Sequence, residues 1–131
     1  MGLDMYAYKV IKPDEPSPIH LIIEADYKPL EGSQEEELFY WRKHPNLHGW
    51  MERLYYKKGG RSEDFNCVNL VLTADDIEQL EKDINADNLP QTAGFFFGES
   101  SEEDKANDLE FINLAKKELE SGNVIYYTSW W

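Results

Sequence analysis

A chain of 131 residues suits one domain with a real core and is too short for two substantial ones. Its 41% hydrophobic and 14% aromatic content excludes a disordered chain, which lacks the apolar surface that offsets ordering entropy. Thirteen basic against 26 acidic side chains leave a formal charge of -13, a field that repels phosphates and anionic headgroups and so disfavours direct nucleic-acid or membrane binding.

MGLDMYAYKVI, residues 1–11, is rich in β-favouring residues and predicts a strand. A second strand is expected over IHLIIEADY, 19–27, after KPDEPSP, whose three prolines remove backbone donors and forbid a ladder. Ser33 with Glu36 reads as a capping box, predicting a helix that carries Leu38, Phe39 and Trp41 until Pro45 interrupts it. Past the proline, Leu47, Trp50, Met51, Leu54 and Tyr55 have the spacing of a core-facing helical stripe, which Gly59-Gly60 close. YWRKHPNLHGW, 40–50, is therefore expected to be the joint between two helices or the kink of one.

NCVNLVLT, 66–73, predicts a strand with Val68, Leu70 and Leu72 on one face. Thr73 with Asp76 caps a following helix in which Ile77, Leu80 and Ile84 form the apolar stripe. Asn88, Pro90 and Gly94 mark a loop, and AGFFFG is short and apolar enough for a buried strand. Ser101 opens a last helix lined by Leu109, Ile112 and Leu119 and stopped by Gly122, and NVIYYTSWW reads as a strand. The expected fold is a single α+β domain over 1–131, a mostly antiparallel sheet with helices packed largely on one face.

In MGLDMY at 1–6, YWRKHPNLHGW at 40–50, FNC at 65–67, LPQTAGFFFG at 89–98 and YYTSWW at 126–131, the chain resembles a family of small proteins from bacteria and their phages, mostly of unknown function. Where relatives continue YWRK with Ala-Asn, this chain has His44-Pro45. Some members carry the label phosphoglycerate kinase. That label is rejected here, because no glycine-rich phosphate cradle precedes a helix and the chain is too short for two lobes.

Tyr40, Trp41, Arg42, Lys43, His48, Cys67, Phe96 and Trp131 are the candidate ligand-binding residues. Arg42, Lys43, His44 and His48 form a basic island in an acidic chain, suited to a carboxylate or phosphate ligand. The plainer reading pairs Arg42 and Lys43 with surface carboxylates or aromatic faces. His48 and Cys67 could act as base and nucleophile. No hydrolase signature surrounds Cys67, and its setting among Val68 and Leu70 predicts a small buried hydrophobe. His44 and His48 stand four apart, but Pro45 lies between them, so no metal is assigned and no cofactor is expected. The three phenylalanines of AGFFFG, Trp130 and Trp131 read as core or edge packing, and Phe96 or Trp131, if open beside Trp41, as a wall for a flat ligand.

The leading functional expectation is a small acidic binding module, associated with phage or mobile elements, with a pocket at the Tyr40–Trp50 joint for a protein or small-molecule ligand. One alternative is a small enzyme using His48 and Cys67 as acid, base or nucleophile. Another is an acidic nucleic-acid mimic, although the acidic runs mostly begin helices, where negative charge meets the positive end of the dipole. No apolar run approaches a membrane span and no signal pattern opens the chain, so a cytoplasmic location is expected; the single Cys67 fits a reducing compartment.

Overall fold

Side chains alternate across a strand, and the alternation of DMYAYKV places Met5 and Ala7 on one face and Tyr6 and Tyr8 on the other. This strand, β1 (Asp4–Val10), lies inside an antiparallel sheet with β2 (Glu35–Arg42), β3 (Leu70–Leu72) and β4 (Val124–Trp130) in the order β2-β1-β4-β3. The computed structural model describes residues 3–11, 34–42, 44–90 and 102–130. Within them the helices are α1 (Pro45–Lys57), α2 (Ala74–Asn85) and α3 (Glu102–Glu120). The expected strand over 19–27, the cap at Ser33, the AGFFFG strand and the start at Ser101 lie outside the described residues.

One apolar cluster joins the sheet to all three helices. It holds Met5, Ala7, Trp41, Leu70, Leu72, Ile125 and Tyr127 from the strands. Leu47, Met51 and Tyr55 enter it from α1, Ile77, Leu80 and Ile84 from α2, and Phe111, Ile112 and Ala115 from α3. The architecture is α+β, with the helices packed on one face of the sheet.

Residues 35–42 are a strand, which corrects the helix expected there. Phe39 and Trp41 alternate with Tyr40 and Arg42, and pairing with β1 outweighs the local cap-and-helix preference. A bulge at Leu38 shifts the register between Ala7 and Tyr8. The shift turns Glu37 and Glu35 onto the same face as Tyr40 and Arg42. The Tyr40–Trp50 segment is consequently a strand-to-helix junction rather than a helical joint. Pro45 starts α1 instead of interrupting a helix, since its missing N–H is one of the donors a first turn leaves unpaired.

In α1, Leu47, Met51 and Tyr55 are fully buried, whereas Trp50 and Leu54 sit half-buried at the border of the core. The expected strand over 66–73 contracts to Leu70–Leu72, and all three are buried because both faces are covered there, Val71 joining Val10 and Tyr126 in a second cluster. Cys67 is exposed, correcting its expected burial; it stands before the strand in a left-handed conformation with φ +60°.

The helix ends obey local rules. Thr73 caps α2 in a reciprocal box: its hydroxyl accepts from the Asp76 N–H, and its own N–H donates to Asp76. Each helix stops with its two characteristic C-terminal backbone bonds. In α1, the Gly60 N–H donates to Tyr55 O and the Gly59 N–H to Tyr56 O, with Gly59 at φ +96°. Asn88 to Asp83 and Asp87 to Ile84 repeat this in α2, and Asn123 to Glu118 and Gly122 to Leu119 in α3.

Candidate functional site

The junction after β2 divides the candidate residues between the two faces of the sheet. Trp41 points into the core, where its indole N–H donates to Asp108 Oδ1 at 3.0 Å. His44 turns inward from the N-cap of α1 without capping it, and its Nε2 meets Asp108 Oδ2 at 2.7 Å. Asp104, one turn earlier on α3, approaches His44 Nδ1 at 3.6 Å. Burial raises the Asp108 pKa and the His44 bond opposes that shift. This network ties the end of β2 to α3.

His48 is fully enclosed. Its Nδ1 lies 2.7 Å from the Tyr127 hydroxyl, and its ring packs 4.9 Å from Phe65, which stacks on Tyr127. Burial lowers the His48 pKa to about 4, so the ring is neutral near pH 7, and burial pushes the Tyr127 hydroxyl well above its usual range. Cys67 stands at the surface, where Sγ reaches Asn66 Oδ1 at 3.5 Å and makes no hydrogen bond to His48. The structure does not assemble these two as a thiol and base.

Tyr40 and Arg42 occupy the opposite face. There the rings of Tyr40 and Tyr6 stand 5.2 Å apart, Tyr6 and Tyr8 6.0 Å, and Tyr8 and Tyr126 5.4 Å, forming a row across three strands. Trp130 shares this face, paired in register with Asp4. Exposure rises along the row: Tyr126, Val10 and Val71 are buried, Tyr6 and Tyr8 half-buried, and Tyr40 and Trp130 are 45% and 68% exposed. The Tyr40 hydroxyl donates to Asp4 at 2.6 Å, a bond that pushes its pKa up to about 12, and Arg42 Nε lies 3.9 Å from the same carboxylate. Tyr126 donates to Glu35 at 2.9 Å. Asp4, Glu35 and Glu37 thus border an aromatic surface.

Lys43, Phe96 and Trp131 lie outside the described residues. Trp130, expected as core or edge packing, is exposed at the end of β4, and reading by sequence missed Tyr6 and Tyr8 as surface candidates and Asp108 as the anchor of Trp41 and His44. The period-two spacing of Asp4-Tyr6-Tyr8 and Tyr126-Thr128-Trp130 was the available signal. Nothing local marks Asp108. Among the described residues no helix is long and apolar enough to cross a membrane. No family model, curated protein or solved structure matches the chain.

Proposed function

We propose that the protein is a non-catalytic interaction module whose aromatic, acid-bordered sheet face receives an Arg- and Lys-rich segment of another protein. The observation that carries this reading is the placement of Tyr40 and Trp130, both exposed, on the same face as Asp4, Glu35 and Glu37. A guanidinium or ammonium group is attracted to the face of a tyrosine or tryptophan ring, and neighbouring carboxylates add charge-assisted hydrogen bonds. Tyrosine, tryptophan and arginine are also the side chains that most often dominate interface energetics. The overall charge of -13 favours basic partners and accelerates their encounter. A second copy of the chain is a poor occupant, since two acidic borders would meet.

The alternative of an enzyme using His48 and Cys67 draws no support from a ring sealed in the core and a thiol on the surface. To test the module, backbone amide shifts are followed by NMR while Arg/Lys-rich peptides are titrated in low salt. Saturable changes should concentrate at Asp4, Tyr6, Tyr40 and Trp130. Tyr40→Ala and Trp130→Ala should each weaken binding about tenfold, with the melting temperature little changed. Changes confined to other surfaces, or binding indifferent to both substitutions, would refute the reading.

A further inference from the structure

On the helical side of the sheet, α1 and α2 border an open cleft of about 510 Å³, within the size range of small-molecule sites, with Arg53, Lys57 and Asp75 exposed at its walls. One wall is a single stripe of α1, with Trp50, Arg53, Leu54 and Lys57, and the facing wall carries Asp75, Asp76, Gln79 and Asp83 of α2. The walls therefore have opposite charge. Much of the acidic wall is already engaged: Asp76 binds Lys58 and closes the Thr73 cap, and Asp83 accepts from the Trp50 indole at 2.8 Å and from Gln79 at 3.2 Å. Arg53, Lys57 and Asp75 make no hydrogen bond or ion pair with any described residue. Two cations and one carboxylate thus face a shared cleft without a partner among the described residues, in a chain whose acidic groups outnumber its basic ones two to one.

A second cleft of about 530 Å³, between α2 and α3, differs on this point. Its Lys116 is held by both oxygens of Glu81 at 2.9 and 2.8 Å. Similar size alone does not leave charge available there.

We infer that the α1–α2 cleft binds a small zwitterion with two anionic groups and one amine, the chemistry of an acidic amino acid. Arg53 and Lys57, one turn apart, each take one anionic group, with the guanidinium suited to a bidentate carboxylate. Asp75 receives the amine. The half-buried Trp50 and Leu54 supply the apolar wall on which the connecting carbons rest. Asp75 and the Asp83–Trp50 bond work against a simple dianion, which would meet carboxylates without offering them a donor. This site is separate from the aromatic face and does not depend on the proposed partner.

The test titrates the intact protein with L-glutamate, with glutarate, which lacks the amine, and with L-lysine, using calorimetry and amide-shift mapping. Saturable millimolar binding of L-glutamate is expected, mapped to Arg53, Lys57 and Asp75, with glutarate at least about tenfold weaker and L-lysine not bound. Arg53→Gln and Lys57→Gln should each weaken L-glutamate about tenfold at an unchanged melting temperature. Asp75→Asn should remove the preference for L-glutamate over glutarate. No saturable binding of L-glutamate by the parent protein, shifts elsewhere, or affinity retained in the Arg53→Gln/Lys57→Gln double variant would overturn the assignment.

Discussion

At the residue scale, Asp108 is the side chain whose loss leaves most behind. Each of its carboxyl oxygens holds one buried partner: Oδ1 accepts from Trp41 Nε1, and Oδ2 shares a hydrogen bond with His44 Nε2. Removing a shared buried hydrogen-bond partner costs more than its bonds contribute, because the groups left behind stay desolvated. Asp108→Ala should destabilise the fold by about 2–6 kcal/mol in urea titration, about 1–3 kcal/mol for each buried group left without its partner. Asp108→Asn, which keeps an acceptor for Trp41, should cost about 1–3 kcal/mol.

His48 makes a prediction of opposite electrostatic kind. Its ring resists protonation down to about pH 4 when folded, whereas an exposed histidine in the unfolded chain titrates near 6.5. Between those values the unfolded chain binds more protons. The neutral burial of His48 therefore contributes fully above pH 6.5, and that contribution is lost as pH falls toward 4, at most about 3 kcal/mol. Asp108, with its raised pKa, works the other way just above pH 3.8. Subtracting the stability curve of His48→Gln from that of the parent isolates the histidine contribution. A difference that stays flat from pH 7.5 to 4 would contradict the buried neutral ring.

At the scale of elements, the turn after α1 shows why a helix end can be exacting. A Cβ at Gly60 would lie 2.3 Å from the Tyr55 ring, which is fully buried and whose hydroxyl accepts from the Ser62 N–H. Neither the ring nor the two C-terminal bonds can give way freely. Gly60→Ala should therefore cost about 1–3 kcal/mol, read as a lower urea midpoint. Gly59 has open space beside it, and its requirement is the left-handed backbone rather than room. The bulge at Leu38 is equally consequential for β2: without it Glu35 and Glu37 would share the core-facing side with Phe39 and Trp41. One extra residue moves carboxylates to the aromatic face.

For the whole molecule, the charge of -13 is spread over a body whose main described core lies on one face of the sheet, with a smaller cluster of Val10, Val71 and Tyr126 on the other. Like charges held together in the folded state repel, and salt screens them over about 10 Å at 0.1 M. The free protein should melt at a higher temperature as salt rises from about 10 to 150 mM, while a complex with a basic peptide on the aromatic face should weaken over that range. The two slopes have opposite sign. A salt-insensitive complex would point to an apolar interface instead.

The parts legible from sequence were those written in local chemistry. Thr73 and Asp76 hold each other within one turn, Ile77, Leu80 and Ile84 repeat at the helical period, and Gly59 and Gly122 adopt positive φ just past their helices. The alternation of β4 and the α+β class follow from the same short-range patterns. Residues 35–42 were misread because a serine–glutamate spacing resembles a cap wherever it occurs, whereas pairing with β1, more than twenty residues away, decides that they extend. The burial of His44 and Trp41 rests on Asp108, more than sixty residues farther along the chain, and no spacing rule connects them. Sequence determined which segments could turn, coil or extend, because those preferences act over a few residues. Only tertiary structure decided which side of the sheet Trp41 and Tyr40 would each face, because that depends on a register set between strands and on a core closed by all three helices.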